Sequence, residues 1–261
     1  GEPIPAEEMR EWTERTVERI LALRPERVLE IGCGTGLLLF RVAPHVRAYH
    51  GTDFSGVALE FVRRHLGGLP QVTLSQREAD RLAEYAGAGF DTVVLNSVAQ
   101  YFPSTDYLLR VLEGAAAALA PGGRIFVGDV RSLPLAGAFH ASVELARAPE
   151  DLPLDRLRDR VRRGVAEEQE LLLDPALFEA LWTRIPRLGR VEVQVKRGEH
   201  DNEVSRFRYD AVPHLDVAAA AAPVVREWSG EDADGLRALA EGSAPALLVR
   251  GVPDARVREH V

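Results

Sequence analysis

Glu30-Ile31-Gly32-Cys33-Gly34-Thr35-Gly36 is the stretch on which the fold depends. Arg27-Val28-Leu29-Glu30-Ile31 runs into it and reads as a short strand; Leu37-Leu38-Leu39-Phe40 follows and opens a helix. A strand, a glycine turn and a helix make the first half of a βαβ unit. Glycines at alternate positions let the backbone bend sharply and let a ligand approach without a Cβ in the way. A tight turn holding nothing is the plain alternative.

The spacing sorts the ligands. A dinucleotide turn wants G-x-G-x-x-G; here it is G-x-G-x-G, with an acid two residues before the first glycine. A carboxylate would repel a pyrophosphate and favour a cation. S-adenosylmethionine (SAM) carries an ammonium and a sulfonium and no phosphate, so the turn suits it better than a nicotinamide dinucleotide. Asp53, ending the second strand 23 residues after Glu30, is placed to accept both ribose hydroxyls, or else is an ordinary helix N-cap acid. Asp80, after the third strand, is a candidate partner for the adenine amino group or a solvated loop acid.

The alternation extends in both directions. A first helix is predicted from about Ala6 to Leu23, ended by Arg24-Pro25. Ala48–Phe54 reads as a strand, Ser55 caps a helix to about Leu66, and Val72-Thr73-Leu74 is a third strand. Phe90–Asn96 is a nearly continuous apolar run, as expected of a strand covered on both faces. A helix over Ser104–Leu119 is stopped by Pro121-Gly122-Gly123, and Arg124–Asp129 is the fifth strand. Residues 137–170 read as Arg- and Glu-rich helices of a partly exposed lid, in which the Arg156–Arg163 run is a solvated face or a docking surface. A helix from Asp174-Pro175 to Trp182 precedes two adjacent strands, Val191–Lys196 and Ser205–Leu215, predicted to pair antiparallel. The Ala-rich stretch from Asp216 is compositionally separate and holds one more candidate strand, Ala246–Val249.

Composition excludes other classes. The 261 residues are 46% hydrophobic and 28% charged, an ordinary globular mix. With 32 basic and 40 acidic residues the net charge is -8, which disfavours nucleic acid and anionic lipid as partners. The single Cys33 excludes an internal disulfide and a cysteine-only zinc site, and no metal is expected. There is no secretory signal at Gly1-Glu2-Pro3-Ile4-Pro5 and no run of about 20 apolar residues, so a cytoplasmic protein is expected.

On these motifs the chain resembles the class I SAM-dependent methyltransferases: E-x-G-x-G at Glu30–Gly34, the acid Asp53, and L-x-P-G-G at Leu119-Ala120-Pro121-Gly122-Gly123. Val94–Pro103, Gly128-Asp129-Val130-Arg131-Ser132-Leu133-Pro134, and the segments from Lys196 to Glu203 and Arg206 to Asp210 are similar to the N-methyltransferase domains embedded in the adenylation domains of nonribosomal peptide synthetases. The resemblance implies an α/β, Rossmann-like, mostly parallel sheet with a C-terminal antiparallel pair and a helical lid. It implies a methyltransferase domain over 1–215 and a tail, 216–261, returning into an adenylation subdomain. The missing initiator Met and the Gly1 start agree with an excised domain, expected to be monomeric.

The implied reaction is SAM-dependent N-methylation of an aminoacyl thioester on a carrier protein, with S-adenosylhomocysteine as by-product. The cofactor set is Glu30, Gly32, Cys33, Gly34, Asp53, Phe54, Ala79, Asp80, Asn96 and Ser97. Asn96, Tyr101, Glu203 and Arg206 are the catalytic candidates: Asn96 to hold the amine, Glu203 as a proton acceptor or a plain surface acid, and Tyr101 in the site or in packing. Gln100, Asp129, Arg131 and His140 are the substrate candidates, with Arg131 facing a carbonyl or Glu203, or serving in a structural ion pair. Trp12 and Met9 cover the cofactor or pack in the core. Methylation of oxygen, sulfur or carbon is the nearest rival; a nicotinamide-dependent reductase and a non-catalytic spacer are the others.

Overall fold

The computed structural model describes residues 4–217, 224–228, 230, 247–254 and 256–257. Helix α1 (Ala6–Ala22) carries Glu7 and Glu8 in its first turn and Arg19 near its end, matching the helix dipole. It stops one residue short of expectation because Arg24 adopts φ 53° ahead of Pro25. Strand β1 (Arg27–Ile31) leads through the glycine turn to a short helix, α2 (Leu39–Val42), and then to β2 (Ala48–Asp53). Helix α3 (Gly56–His65) is capped by Ser55, whose Oγ accepts the Ala58 N–H at 3.2 Å. Strands β3 (Val72–Gln76) and β4 (Phe90–Asn96) follow, and Ser104 caps α4 (Thr105–Ala118) in the same way, through the Tyr107 N–H at 3.2 Å.

Strand β5 spans Leu119–Arg131, longer at both ends than Arg124–Asp129. Leu119 already pairs with Phe90, and the Pro-Gly-Gly segment is absorbed by a register shift between Phe90 and Thr92. The lid segment forms α5 (Ala136–Arg147) and α6 (Leu154–Ala166), which pack on each other. No residue of α6 is buried, and its Arg160 and Arg162 pair with Glu144 and Asp159, as on a solvated face. Asp174 caps α7 (Pro175–Glu179), and β6 runs from Leu188 to Val195.

Ser205–Leu215 departs from expectation. Residues Glu203–Phe207 form helix α8, and β7 begins only at Arg208. The cause is local: Asn202 Oδ1 accepts the Val204 and Ser205 N–H groups while Ser205 Oγ accepts the Asn202 N–H, a capping box.

The seven strands order as β3-β2-β1-β4-β5-β7-β6, with β7 antiparallel to both neighbours and the other pairs parallel. This is the Rossmann-like sheet expected, with β1 and β4 at its centre. Each central strand buries both faces: Leu29, Val93 and Leu95 in the core under α4, Val28 and Val94 in the core under α3. The strand order reverses between β1 and β4, so the cleft beyond their carboxyl ends is the place for a ligand. In the tail, β8 (Val224–Glu227) and β9 (Leu247–Arg250) form a separate parallel pair. Ala246, the first residue of the strand expected there, lies outside the described residues. No described helix is long and apolar enough to cross a membrane.

Candidate functional site

The glycine turn is held from below by the neighbouring strand: Thr52 O accepts the N–H groups of Gly32 (2.7 Å) and Cys33 (2.9 Å). Gly32 has φ 77°, and a Cβ there would lie 2.5 Å from Val98 Cγ2. Gly34 has φ 51° and nothing within 4 Å of where its Cβ would be. Gly32 is thus required by crowding and backbone conformation together, while Gly34 leaves open space above the turn.

Beside the turn a cleft of about 1030 Å³ opens beyond β1, β2 and β4, walled by Gly32 but not by Gly34. It brings together Gly32, Asp53, Phe54, Ala79, Ser97 and Tyr101 of the expected residues. Phe54 and Tyr101 are 75% and 72% exposed, so two aromatic rings at this cleft are accessible for stacking. Asp53 accepts the Gly34 N–H through Oδ2 and the Ser55 N–H through Oδ1, each at 2.8 Å. The N-cap of α3 is Ser55, not Asp53; the two backbone donors leave each Asp53 oxygen a lone pair for the cleft. Sequence reasoning missed Gln76, Arg77, Val98 and Tyr107 in this wall. The signal for Gln76 was β3 running two residues past Leu74, and for Tyr107 the Ser104 cap that opens α4 under the cleft.

The other expected residues lie outside the cleft wall. Glu30 sits beneath the turn at 3% exposure, its Oε2 accepting the Tyr49 hydroxyl at 2.8 Å. Burial pushes the Glu30 carboxyl up to about 7 against the pull of that hydrogen bond, and the Asp53 charge adds to the rise. Cys33 is buried, and burial likewise raises its thiol far out of the reactive range. Asp80 lies between Arg81 (3.8 Å) and Arg110 (3.6 Å). Asn96 is buried against Gly128, where a Cβ would meet Asn96 Oδ1 at 2.2 Å, and that oxygen accepts no hydrogen bond. Gln100 is buried; its main-chain carbonyl accepts the Leu171 N–H, while its side-chain Oε1 has no partner.

Behind the cleft stands a charge network centred on Asp129, 1% exposed with φ 62°. Its Oδ1 accepts Trp12 Nε1–H at 3.0 Å; its Oδ2 accepts Ser97 Oγ–H at 2.5 Å and Arg208 Nη1–H at 2.7 Å. Trp12 thereby ties α1 to this network. Burial would raise the Asp129 carboxyl, but Arg208, Lys196 and the Ser97 and Trp12 hydrogen bonds outweigh it and hold it below the usual range. Asp210, fully buried, receives Lys196 Nζ at 2.7 Å and the Arg19 guanidinium, and accepts the Asp129 N–H at 2.8 Å.

Arg131 forms the structural ion pair that was its alternative, and not one with Glu203. Arg131 holds Glu168 (3.0 Å) and Glu170 (2.8 Å), with Phe139 stacked 4.6 Å from its guanidinium carbon, and His140 is 3.3 Å from the same Glu168. These contacts fasten the segment after α6 to the end of β5. Glu203 instead pairs with Arg208 at 2.9 Å, and Arg206 with Asp201 at 2.5 Å. Among the described residues no His, Cys, Asp and Glu cluster could hold a metal ion.

Residues 29–125 match the family model of a methyltransferase domain. Among solved structures, the N-methyltransferase NodS from Bradyrhizobium japonicum WM9, in complex with S-adenosyl-L-homocysteine, superposes with a TM-score of 0.55 at 16% identity, over 78% of this chain and 87% of that one. Fold and family match define a class I SAM-dependent methyltransferase. Chondramide synthase cmdD of Chondromyces crocatus is 47% identical over 270 residues, covering 99% of this chain and 7% of that protein. The nonribosomal peptide synthetase asqK of Emericella nidulans is 37% identical over 221 residues, covering 82% of this chain and 9% of that protein. The chain is thus a methyltransferase related to those of nonribosomal peptide synthetases, and it spans under a tenth of the length of these curated relatives.

Proposed function

We propose that this domain methylates the α-amine of an aminoacyl thioester carried on a phosphopantetheine arm, within a cytoplasmic nonribosomal peptide synthetase. Residues 1–215 act as the methyltransferase, and 216–261 lead back into an adjoining adenylation domain. The relatives support the synthetase setting. The observation that carries the amine is the state of the carboxylates behind the cleft: Asp129 is engaged by Arg208 and Lys196, and Glu203 by Arg208. A hydroxyl nucleophile usually needs a strong base. A free α-amine, with a pKa of about 8, is lowered further by the thioester and is largely neutral already near pH 7. A site that orients without abstracting a proton therefore suits nitrogen.

The cofactor, when bound, supplies an electrophilic methyl on a sulfonium. Gly32 and Gly34 leave room for it along the turn, Asp53 offers acceptors for ribose hydroxyls, and Phe54 and Tyr101 cover apolar surface and exclude water. Asn96, with a buried oxygen lacking a donor, orients the amine for in-line attack. Asn96→Ala is expected to lower kcat about tenfold, the scale of one hydrogen bond, and to lower SAM affinity less. Full turnover in that variant would remove this role.

The test is incubation with SAM and aminoacyl-loaded carrier protein, followed by fragmentation mass spectrometry. A methyl on nitrogen supports the proposal. A methyl on oxygen, sulfur or carbon replaces it with the rival transferase, and SAM binding without transfer to any tethered substrate leaves the spacer reading.

A further inference from the structure

Ser97 and Asp129 end the paired strands β4 and β5, and both depart from ordinary backbone geometry. Ser97 has φ 55° and Asp129 φ 62°, the left-handed region that non-glycine residues seldom enter. They sit one residue beyond the Asn96–Gly128 register pair, and the Ser97 N–H donates to Gly128 O at 3.1 Å. The two side chains meet at 2.5 Å.

An ionised carboxylate only accepts hydrogen bonds, so the Ser97 hydroxyl must be the donor in this contact. Arg208 and Lys196 keep Asp129 in that form, and Trp12 fixes its other oxygen. With its proton committed, and with Asn96 Nδ2 donating to it at 3.5 Å, the Ser97 oxygen has one lone pair left to offer. Ser97 is on the cleft wall, whereas Asp129 is not.

We infer that Asp129 is a positioning residue that locks the Ser97 hydroxyl as a hydrogen-bond acceptor, making this point of the cleft a seat for a ligand amine. Two amines share that chemistry: the ammonium of the cofactor and the amine of the acceptor substrate. The second rests on the function proposed above; the first does not.

The test pairs each amine ligand with its deaminated counterpart. Binding of S-adenosylhomocysteine is compared with its analogue lacking the α-amino group, and binding of an aminoacyl-pantetheine thioester with the plain acyl thioester. The proteins are wild type, Ser97→Ala, Asp129→Asn and the double variant, each first shown to melt cooperatively. Ser97→Ala is expected to weaken one amine-bearing ligand about tenfold and to leave its deaminated partner unchanged. Asp129→Asn should do the same, and the double variant should be no worse than the worse single one. A loss confined to the S-adenosylhomocysteine pair identifies the cofactor ammonium as the occupant, and a loss confined to the thioester pair identifies the substrate amine.

Equal losses for amine and deaminated ligands, no loss with either pair, or single effects that multiply in the double variant would overturn the inference. If Asp129→Asn does not fold, Ser97→Ala decides alone: it must weaken an amine-bearing ligand and spare its deaminated partner, and equal or no losses overturn the inference. Failure to methylate any aminoacyl thioester overturns the proposed function, and the S-adenosylhomocysteine pair still decides this inference.

Discussion

Glu30→Gln is expected to stabilise the cofactor-free protein at alkaline pH while weakening its hold on SAM. Burial raises the Glu30 carboxyl from 4.5 to about 7, and the Asp53 charge adds to the rise, so the fold favours the protonated form. The folded state then binds a proton that the unfolded chain has already released. The stability this contributes is fully present below pH 4.5 and is lost as pH rises through about 7. Glutamine keeps an acceptor for the Tyr49 hydroxyl and has nothing to ionise. Unfolding free energies of variant and wild type should therefore diverge in the variant's favour by about 3 kcal/mol between pH 4 and pH 8. Parallel curves would refute the burial argument. At pH 8 the variant should bind SAM about tenfold more weakly, the scale of one lost charge interaction inside a protein. A carboxylate that costs stability is understandable where it serves a cationic ligand.

Gly32→Ala and Gly34→Ala separate two reasons for a glycine. At Gly32 an alanine would be strained at φ 77° and would collide with Val98 at 2.5 Å, a β-branched side chain with little rotamer freedom. Backbone strain and displacement of Val98 together should cost about 2–4 kcal/mol of stability and about a hundredfold in SAM affinity. At Gly34 the new methyl meets no protein atom within 4 Å, so only the φ 51° strain, about 1 kcal/mol, weighs on the fold. Its Cβ enters the space above the turn, and SAM affinity should fall about as far as in the first variant. Melting curves and SAM titrations of the two proteins check this; a Gly34→Ala protein with intact affinity would place the cofactor elsewhere.

The turn, the central strands and the Ser55 cap were legible because their causes are local. Glu30–Gly36 needs only its own glycines to bend, Ser55 caps through its own hydroxyl, and Phe90–Asn96 announces burial by composition; Ser104, read as the first helical residue, is the cap of α4. The helix at Glu203–Phe207 was equally local, and Asn202 with Ser205 three residues on was its signal; apolar Val204 and Phe207 masked it as part of a strand. What sequence could not give were partners distant along the chain. Asp129 finds Arg208 across the β5–β7 pairing, Trp12 arrives from the first helix, and Arg131 is claimed by Glu168 and Glu170 once α5 and α6 fold back. Whether Glu30 faces the cleft or lies beneath it depended on Tyr49, presented by the neighbouring strand.

The most direct measurement of the central claim, that this turn and its acids are built for a cation without phosphate, is calorimetric titration with SAM between pH 6 and pH 8. Wild-type affinity should rise with pH as Glu30 ionises and gains attraction for the ligand, with proton release on binding where Glu30 is still partly protonated, while Glu30→Gln should show a flat profile. A wild-type affinity independent of pH, or a dinucleotide bound more tightly than SAM, would contradict it.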